Sequence, residues 1–290
     1  MRTVFVFALG VVFGCSTPES PDGGSEATVR TSPLAEFLPT PTGACPTLAD
    51  GYVTFAPLGI APRRVRLWLD PAVATPGPLI FYWHGTGSKP EEAPYGLGEP
   101  TVDAVKAAGG MVAAPEHDVK AAQFPWYLTM GAGREDDLLV ADEVLACARE
   151  QRGVDERRIH VAGMSAGGLQ TVQMAYRRSG YVASVVPFSG GLLGYPDDQD
   201  PENRFSAMIF YGGTKDQVIV NFQTLSLALH DELKATGRFS FMCNHGLGHK
   251  IPLSARPFVW QFLRDHPFGT SPSPYADALP ADAPDYCALD

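Results

Sequence analysis

Six nearly unbroken runs of β-branched, aromatic and small apolar residues, each closed by glycine, proline or a polar turn, constrain this chain most: "PLIFYWHG", "MVAAPE", "RIHVAGMS", "VASVVPFSG", "AMIFYGGT" and "RFSFMCNHG". A strand with one wet face alternates apolar and polar residues, whereas an unbroken run suits a strand buried on both faces. Only "RRVRLWLD" alternates, at Val65, Leu67 and Leu69. Helix-length patterns lie around and between the runs, at Gly98 to Ala108, Asp136 to Arg152, Ala166 to Ser179, Asn221 to Ala235 and Ser254 to Asp265. Strand alternating with helix predicts an α/β protein, with a mostly parallel central sheet and helices on both faces. At 290 residues the chain is long enough to bury one large core.

The N-terminus reads differently. Arg2 is followed by an apolar run from Thr3 to Phe13, too short to span a bilayer, and then by Gly14 and Cys15. This is the pattern of a secretory signal. "VFGCS" also resembles the lipobox of bacterial lipoproteins, which implies lipidation of Cys15 and attachment to a membrane surface; simple secretion with cleavage nearby is the alternative. Residues 16–43 are mostly Pro, Gly, Ser and Thr, with little to bury, and are expected to form a flexible tether. The expected layout is therefore a signal over 1–15, a tether over 16–43, a catalytic domain over 44–266 and an irregular tail over 267–290. A net charge of −10 argues against nucleic acid as a partner. Four cysteines remain after Cys15: Cys45, Cys147, Cys243 and Cys287. In an exported chain an even number suggests two disulfides, with three pairings open.

Gly163-Met164-Ser165-Ala166-Gly167 fits the G-x-S-x-G pattern where the strand "RIHVAGMS" meets a helix. Such a turn is sharp, and it projects the serine hydroxyl while glycines two residues away leave room for neighbouring backbone. A serine hydroxyl is a weak nucleophile until a base takes its proton and an acid orients the base. Asp216, just past the run "AMIFYGGT", is the preferred acid, with Asp197, Asp198 and Asp200 as alternatives. His249 in "CNHGLGHKIP" is the preferred base, because Gly246 and Gly248 allow its loop to reach over the serine. His245 is assigned to the loop or to a supporting role.

A tetrahedral intermediate needs donors for its oxyanion. The backbone N–H of Ala166 is one candidate and that of Thr86, in "WHGTG", the other. His84 is assigned a structural role in holding that loop. Trp126 and Tyr127, in "QFPWYLTM", are the candidate substrate contacts; Pro94, Tyr95, Leu192, Leu193 and Tyr195 are weaker ones. No Cys/His cluster has zinc spacing, and "GTGSKP" lacks the spacing of a phosphate-binding loop.

At "FYWHGTG", "GVDERRIHVAGMSAGGLQTVQMAY", "IFYGGTKDQVIV" and "GLGHKIP" the chain resembles the α/β-hydrolase superfamily. The likeness is to secreted polyhydroxybutyrate depolymerase-like and feruloyl esterase-like enzymes. It implies hydrolysis of a carboxylic ester, either of a polyhydroxyalkanoate-type polyester or of a feruloyl or acetyl polysaccharide, without metal or organic cofactor. Alternatives are a serine peptidase of the same fold and a non-catalytic binding lipoprotein. The strand order implied by the resemblance, 1-2-4-3-5-6-7-8, places Cys147 and Cys243 too far apart to bridge. It therefore implies Cys45–Cys147 and Cys243–Cys287.

Overall fold

The computed structural model describes residues 30–121, 124–130 and 133–289. Cys15, the expected lipidation site, lies outside them, as does all of the expected signal. The strands are Gly51–Phe55 (β1), Arg63–Leu69 (β2), Gly77–Trp83 (β3), Met111–Pro115 (β4), Val154–Met164 (β5), Ser184–Phe188 (β6), Ser206–Tyr211 (β7), Ser240–Asn244 (β8) and Cys287–Ala288 (β9). The helices are Glu92–Leu97 (α1), Glu99–Ala107 (α2), Asp136–Gln151 (α3), Ala166–Arg177 (α4), Phe222–Ala235 (α5) and Arg256–Asp265 (α6).

The nine strands of the described residues share one sheet, in the order β1-β2-β4-β3-β5-β6-β7-β8-β9. From β4 to β8 every neighbouring pair is parallel, while β1, β2 and β9 join antiparallel. The unbroken apolar runs are the interior of this sheet: every residue of β3, β4, β6 and β7 is buried. Alternate residues of β3 serve opposite faces. Leu79, Phe81 and Trp83 pack with apolar residues of α3, α4 and α5, whereas Ile80 and Tyr82 pack with those of α1, α2 and α6. Among the described residues no helix is long and apolar enough to cross a membrane.

Three features differ from expectation. First, α1 precedes the first expected helix, which was placed at Gly98 to Ala108. Pro94 falls in the first turns, where a missing N–H costs little. Gly96 is needed because a Cβ there would lie 2.3 Å from the Tyr82 hydroxyl. Second, the tether does not run to Gly43. Leu38 is buried, and Glu143 of α3, itself buried, accepts the N–H and hydroxyl of Thr42 and the N–H of Gly43, each at 2.8 Å. A buried carboxylate needs such partners, and they hold Thr42 and Gly43 against the domain. Third, the tail is not wholly irregular: β9 pairs with β8, and Tyr275 is buried. Two disulfides join Cys45 to Cys147 and Cys243 to Cys287, with Cα atoms 5.4 and 3.9 Å apart.

Candidate active site

Ser165 sits between β5 and α4 with φ +60° and ψ −121°, a backbone conformation few non-glycine residues adopt. It is held there by close packing. A Cβ on Gly167 would lie 1.8 Å from the carbonyl oxygen of Trp83, and one on Gly163 would lie 2.5 Å from the same atom. Only glycine lets the elbow approach β3 this closely.

The imidazole of His249 bridges the serine to the acid. Its Nε2 is 2.8 Å from Ser165 Oγ and its Nδ1 is 2.7 Å from Asp216 Oδ1. Asp216 is fully buried, and its other oxygen accepts the Gly212 N–H and the Ser189 hydroxyl, both at 2.8 Å. Burial works against the Asp216 charge. The hydrogen bonds from His249, Gly212 and Ser189 outweigh it and hold the carboxyl below its ordinary range. Phe222 stacks on the His249 ring at 4.6 Å. The three side chains thus form one hydrogen-bonded line from a buried anion to a hydroxyl, the arrangement that turns serine into a nucleophile.

Ala166 opens α4, so its N–H belongs to the first turn, which lacks helical acceptors. Thr86 is exposed and lines a cavity of about 360 Å³ together with Ser165 and Ala166. The apolar wall of that cavity comes from Phe124, Leu169, Leu193, Val218, Ile219 and Phe222. A second cavity, of about 620 Å³, also borders His249 and is lined by Glu92, Tyr95, Leu247 and Lys250 among others.

Trp126 and Tyr127, expected as substrate contacts, do not line this cavity. Trp126 is fully buried, packs edge-on against Trp83 at 4.8 Å and donates its indole N–H to the His84 carbonyl at 2.9 Å. Tyr127 donates its hydroxyl to Asp118 and its N–H to Asp137. Both are apolar bodies with one polar handle, and the core satisfies both ends. They support the wall that their neighbours Phe124 and Thr129 present. Of the weaker candidates, Leu193 reaches the first cavity and Tyr95 the second. Leu192 is core, and Tyr195 is exposed.

The alternative acids are engaged elsewhere. Asp198 accepts from Ser179 and Arg238, Asp200 pairs with Arg30, and Asp197 lies beside Arg177. His245 supports the base loop by accepting the Leu247 N–H, and His84 holds the Gly85 carbonyl at 2.9 Å. Sequence reasoning missed Val218, Ile219 and Phe222. Their signal was present: "QVIVNF" is an apolar stretch in a loop, with Val218 and Ile219 more than half exposed at 62% and 61%. Ser189 carried none, since "FSG" reads as an ordinary turn.

No family model and no curated protein matches the chain. Solved structures do. Native pOPH superposes with a TM-score of 0.65 at 16% identity, covering 84% of this chain and 96% of that one. A ferulic acid esterase gives 0.54 at 15% identity, over 70% and 92% of the two chains. A phospholipase/carboxylesterase from Dyadobacter fermentans gives 0.52 at 17%, over 69% and 95%. With the strand order, they establish the α/β-hydrolase fold.

Proposed function

We propose that the chain is an exported serine esterase that hydrolyses carboxylic esters with an apolar acyl group through an acyl-enzyme intermediate, held at a membrane by lipidation of Cys15. The observation that carries the reading is the line Ser165–His249–Asp216 opening onto an apolar cavity. His249 Nε2 takes the hydroxyl proton as Ser165 Oγ attacks the ester carbonyl. The N–H groups of Ala166 and Thr86 receive the oxyanion. Buried Asp216 stabilises the imidazolium and fixes Nδ1 as the protonated nitrogen. As the tetrahedral adduct collapses, His249 returns its proton to the departing alcohol. Water then repeats the cycle on the acyl-serine.

Phe124, Leu169, Val218 and Ile219 suit an apolar acyl chain, and the cavity is of a size that encloses a small ligand. Likeness in fold to a ferulic acid esterase makes feruloyl and acetyl polysaccharide esters one class to compare, with polyhydroxyalkanoate polyesters the other. Two disulfides fit an oxidising compartment outside the cytoplasm.

The test is turnover of p-nitrophenyl acetate and butyrate with fluorophosphonate labelling. Wild type is expected to hydrolyse both esters and to be labelled. Ser165→Ala is expected to lose at least about 10⁴-fold in rate, to escape labelling and to keep its melting temperature. Residual Ser165→Ala activity within about tenfold of wild type overturns the assignment. Intact mass of the membrane-extracted protein tests the lipid on Cys15.

A further inference from the structure

Glu92, in the first turn of α1, plays no part in the line from Asp216 to Ser165, yet it touches the loop that borders the serine. Its Oε1 accepts the Gly85 N–H at 3.1 Å and the Tyr82 hydroxyl at 3.2 Å, and the Ser88 side chain bonds the same carboxyl. The next peptide is held from its other side. The Gly85 carbonyl receives the Ser88 N–H at 3.1 Å and lies 2.9 Å from His84 Nδ1. That carbonyl and the Thr86 N–H belong to one planar trans peptide and point in opposite directions. Fixing Gly85 at both its N–H and its carbonyl therefore fixes where the Thr86 N–H points. The tolerance is small, because a Cβ on Gly85 would lie 3.3 Å from the Met164 carbonyl oxygen and 3.4 Å from Ser165 Cβ.

We propose that Glu92 is a positioning residue for the proposed ester hydrolysis: by accepting the Gly85 N–H it sets the loop that presents the Thr86 N–H to the oxyanion. This rests on the serine-esterase reading. What the loop needs is an acceptor oxygen at that distance rather than a negative charge, which would lie behind the developing oxyanion. Burial accordingly raises the Glu92 carboxyl above its ordinary range, although hydrogen bonds from Ser88, Gly85 and Tyr82 and the nearby His249 pull the other way.

Three variants separate contact from charge. Glu92→Gln keeps the acceptor and removes the charge. Glu92→Asp keeps the charge but is one methylene too short to reach Gly85. Glu92→Leu removes both. Removing an oxyanion donor outright costs about 10²–10³ in kcat, so misplacing one is expected to cost roughly 10- to 100-fold in Glu92→Asp and Glu92→Leu, with KM within about threefold. Glu92→Gln is expected to stay within about threefold of wild type. Affinity for phenylboronic acid, which forms a tetrahedral adduct on the serine, should fall by the same factor as kcat. Circular dichroism checks each fold, and the Asp and Gln pair decides the matter if the Leu variant does not fold.

An active Glu92→Asp beside an inactive Glu92→Gln would overturn the proposal in favour of charge. So would losses in KM alone with boronate affinity unchanged. If wild type hydrolyses no ester, the esterase reading fails, and boronate affinities of the variants still decide the role of Glu92.

Discussion

Ser165 and His249 are held by regions built in different ways. Ser165 is fixed by backbone packing: the elbow lies so close to β3 that neither Gly163 nor Gly167 has room for a Cβ. His249 is held largely by tethers, with close backbone packing at one point, where a Cβ on Gly212 would lie 1.9 Å from the Gly248 carbonyl oxygen. Its loop hangs from the sheet by the His245 N–H on the Tyr211 carbonyl, the Gly248 N–H on the Gly212 carbonyl, and the bond from Nδ1 to Asp216. Just before it, the Cys243–Cys287 disulfide and the Asn244 N–H on the Tyr286 carbonyl join β8 to the tail. Within the base loop, a Cβ on Gly246 would meet nothing within 4 Å. Packing defines one position and yields poorly to change, while tethers can be removed singly. The two halves of the site should therefore fail differently.

The largest expected effect lies at His249. His249→Ala is expected to lose at least about 10⁴-fold in kcat at unchanged stability, whereas His245→Ala, which removes only the acceptor for the Leu247 N–H, should lose roughly tenfold or less. If the two rank the other way, the base is misassigned. Next come the glycines. Gly167→Ala drives a methyl into the Trp83 carbonyl and is expected to cost upwards of about 3 kcal/mol, or to abolish folding. Gly246→Ala has space and pays only for its φ of +67°, about 1 kcal/mol. Urea melts of the two variants compare packing with tether directly. Equal losses would refute the contrast.

The same division explains what could be read from the chain. The elbow was legible because its chemistry is local. A glycine two residues either side of a serine, after an unbroken apolar run, describes the strand, the turn and the helix at once. Asp216 and His249 were legible because each follows a strand. The sheet order came through the family likeness rather than through periodicity, and the disulfide pairing came with it. The pocket wall was misread at Trp126 and Tyr127, because an aromatic residue in a loop looks the same whether it faces solvent or core. What decides is whether its polar atom has a buried partner, and neither the His84 carbonyl nor Asp118 is marked as one in the sequence. The end of the expected tether was misread for the related reason that Glu143, the buried partner of Thr42 and Gly43, lies about a hundred residues away.

The two disulfides sharpen the comparison. Cys45–Cys147 ties the N-terminal flank to α3, away from the site, while Cys243–Cys287 ties the tail to the strand that launches the base loop. Paired serine substitutions at either bridge should cost about 2–4 kcal/mol in urea melts. Only the second pair is expected to lower kcat as well, by roughly five- to tenfold, because the loop carrying His249 loses a tether. Equal kcat in both double variants would mean that the tail does not help to place the base.

Acid offers the mildest way to probe the packed half. His84 follows β3 and His160 lies in β5, the two strands that grip the elbow, and both are fully buried. Burial is the main cause that pushes His84 down to about 4 and His160 down to about 3, the latter helped by Arg158 and His266. The folded protein therefore keeps these rings neutral, while the unfolded chain protonates them near 6.5. Between those limits the unfolded state binds more protons, so the stability present above pH 6.5 is lost progressively as pH falls through the window down to the folded values. At pH 5 a group like His160 accounts for a loss of about 2 kcal/mol relative to pH 8. Urea melts at half-unit steps from pH 8 to pH 4.5 are expected to show this decline, and His160→Gln to flatten it by up to about 1.4 kcal/mol per pH unit. An unaltered slope in His160→Gln would mean that the imidazole reaches solvent in the folded state, and that the strands behind the elbow are looser than their packing implies.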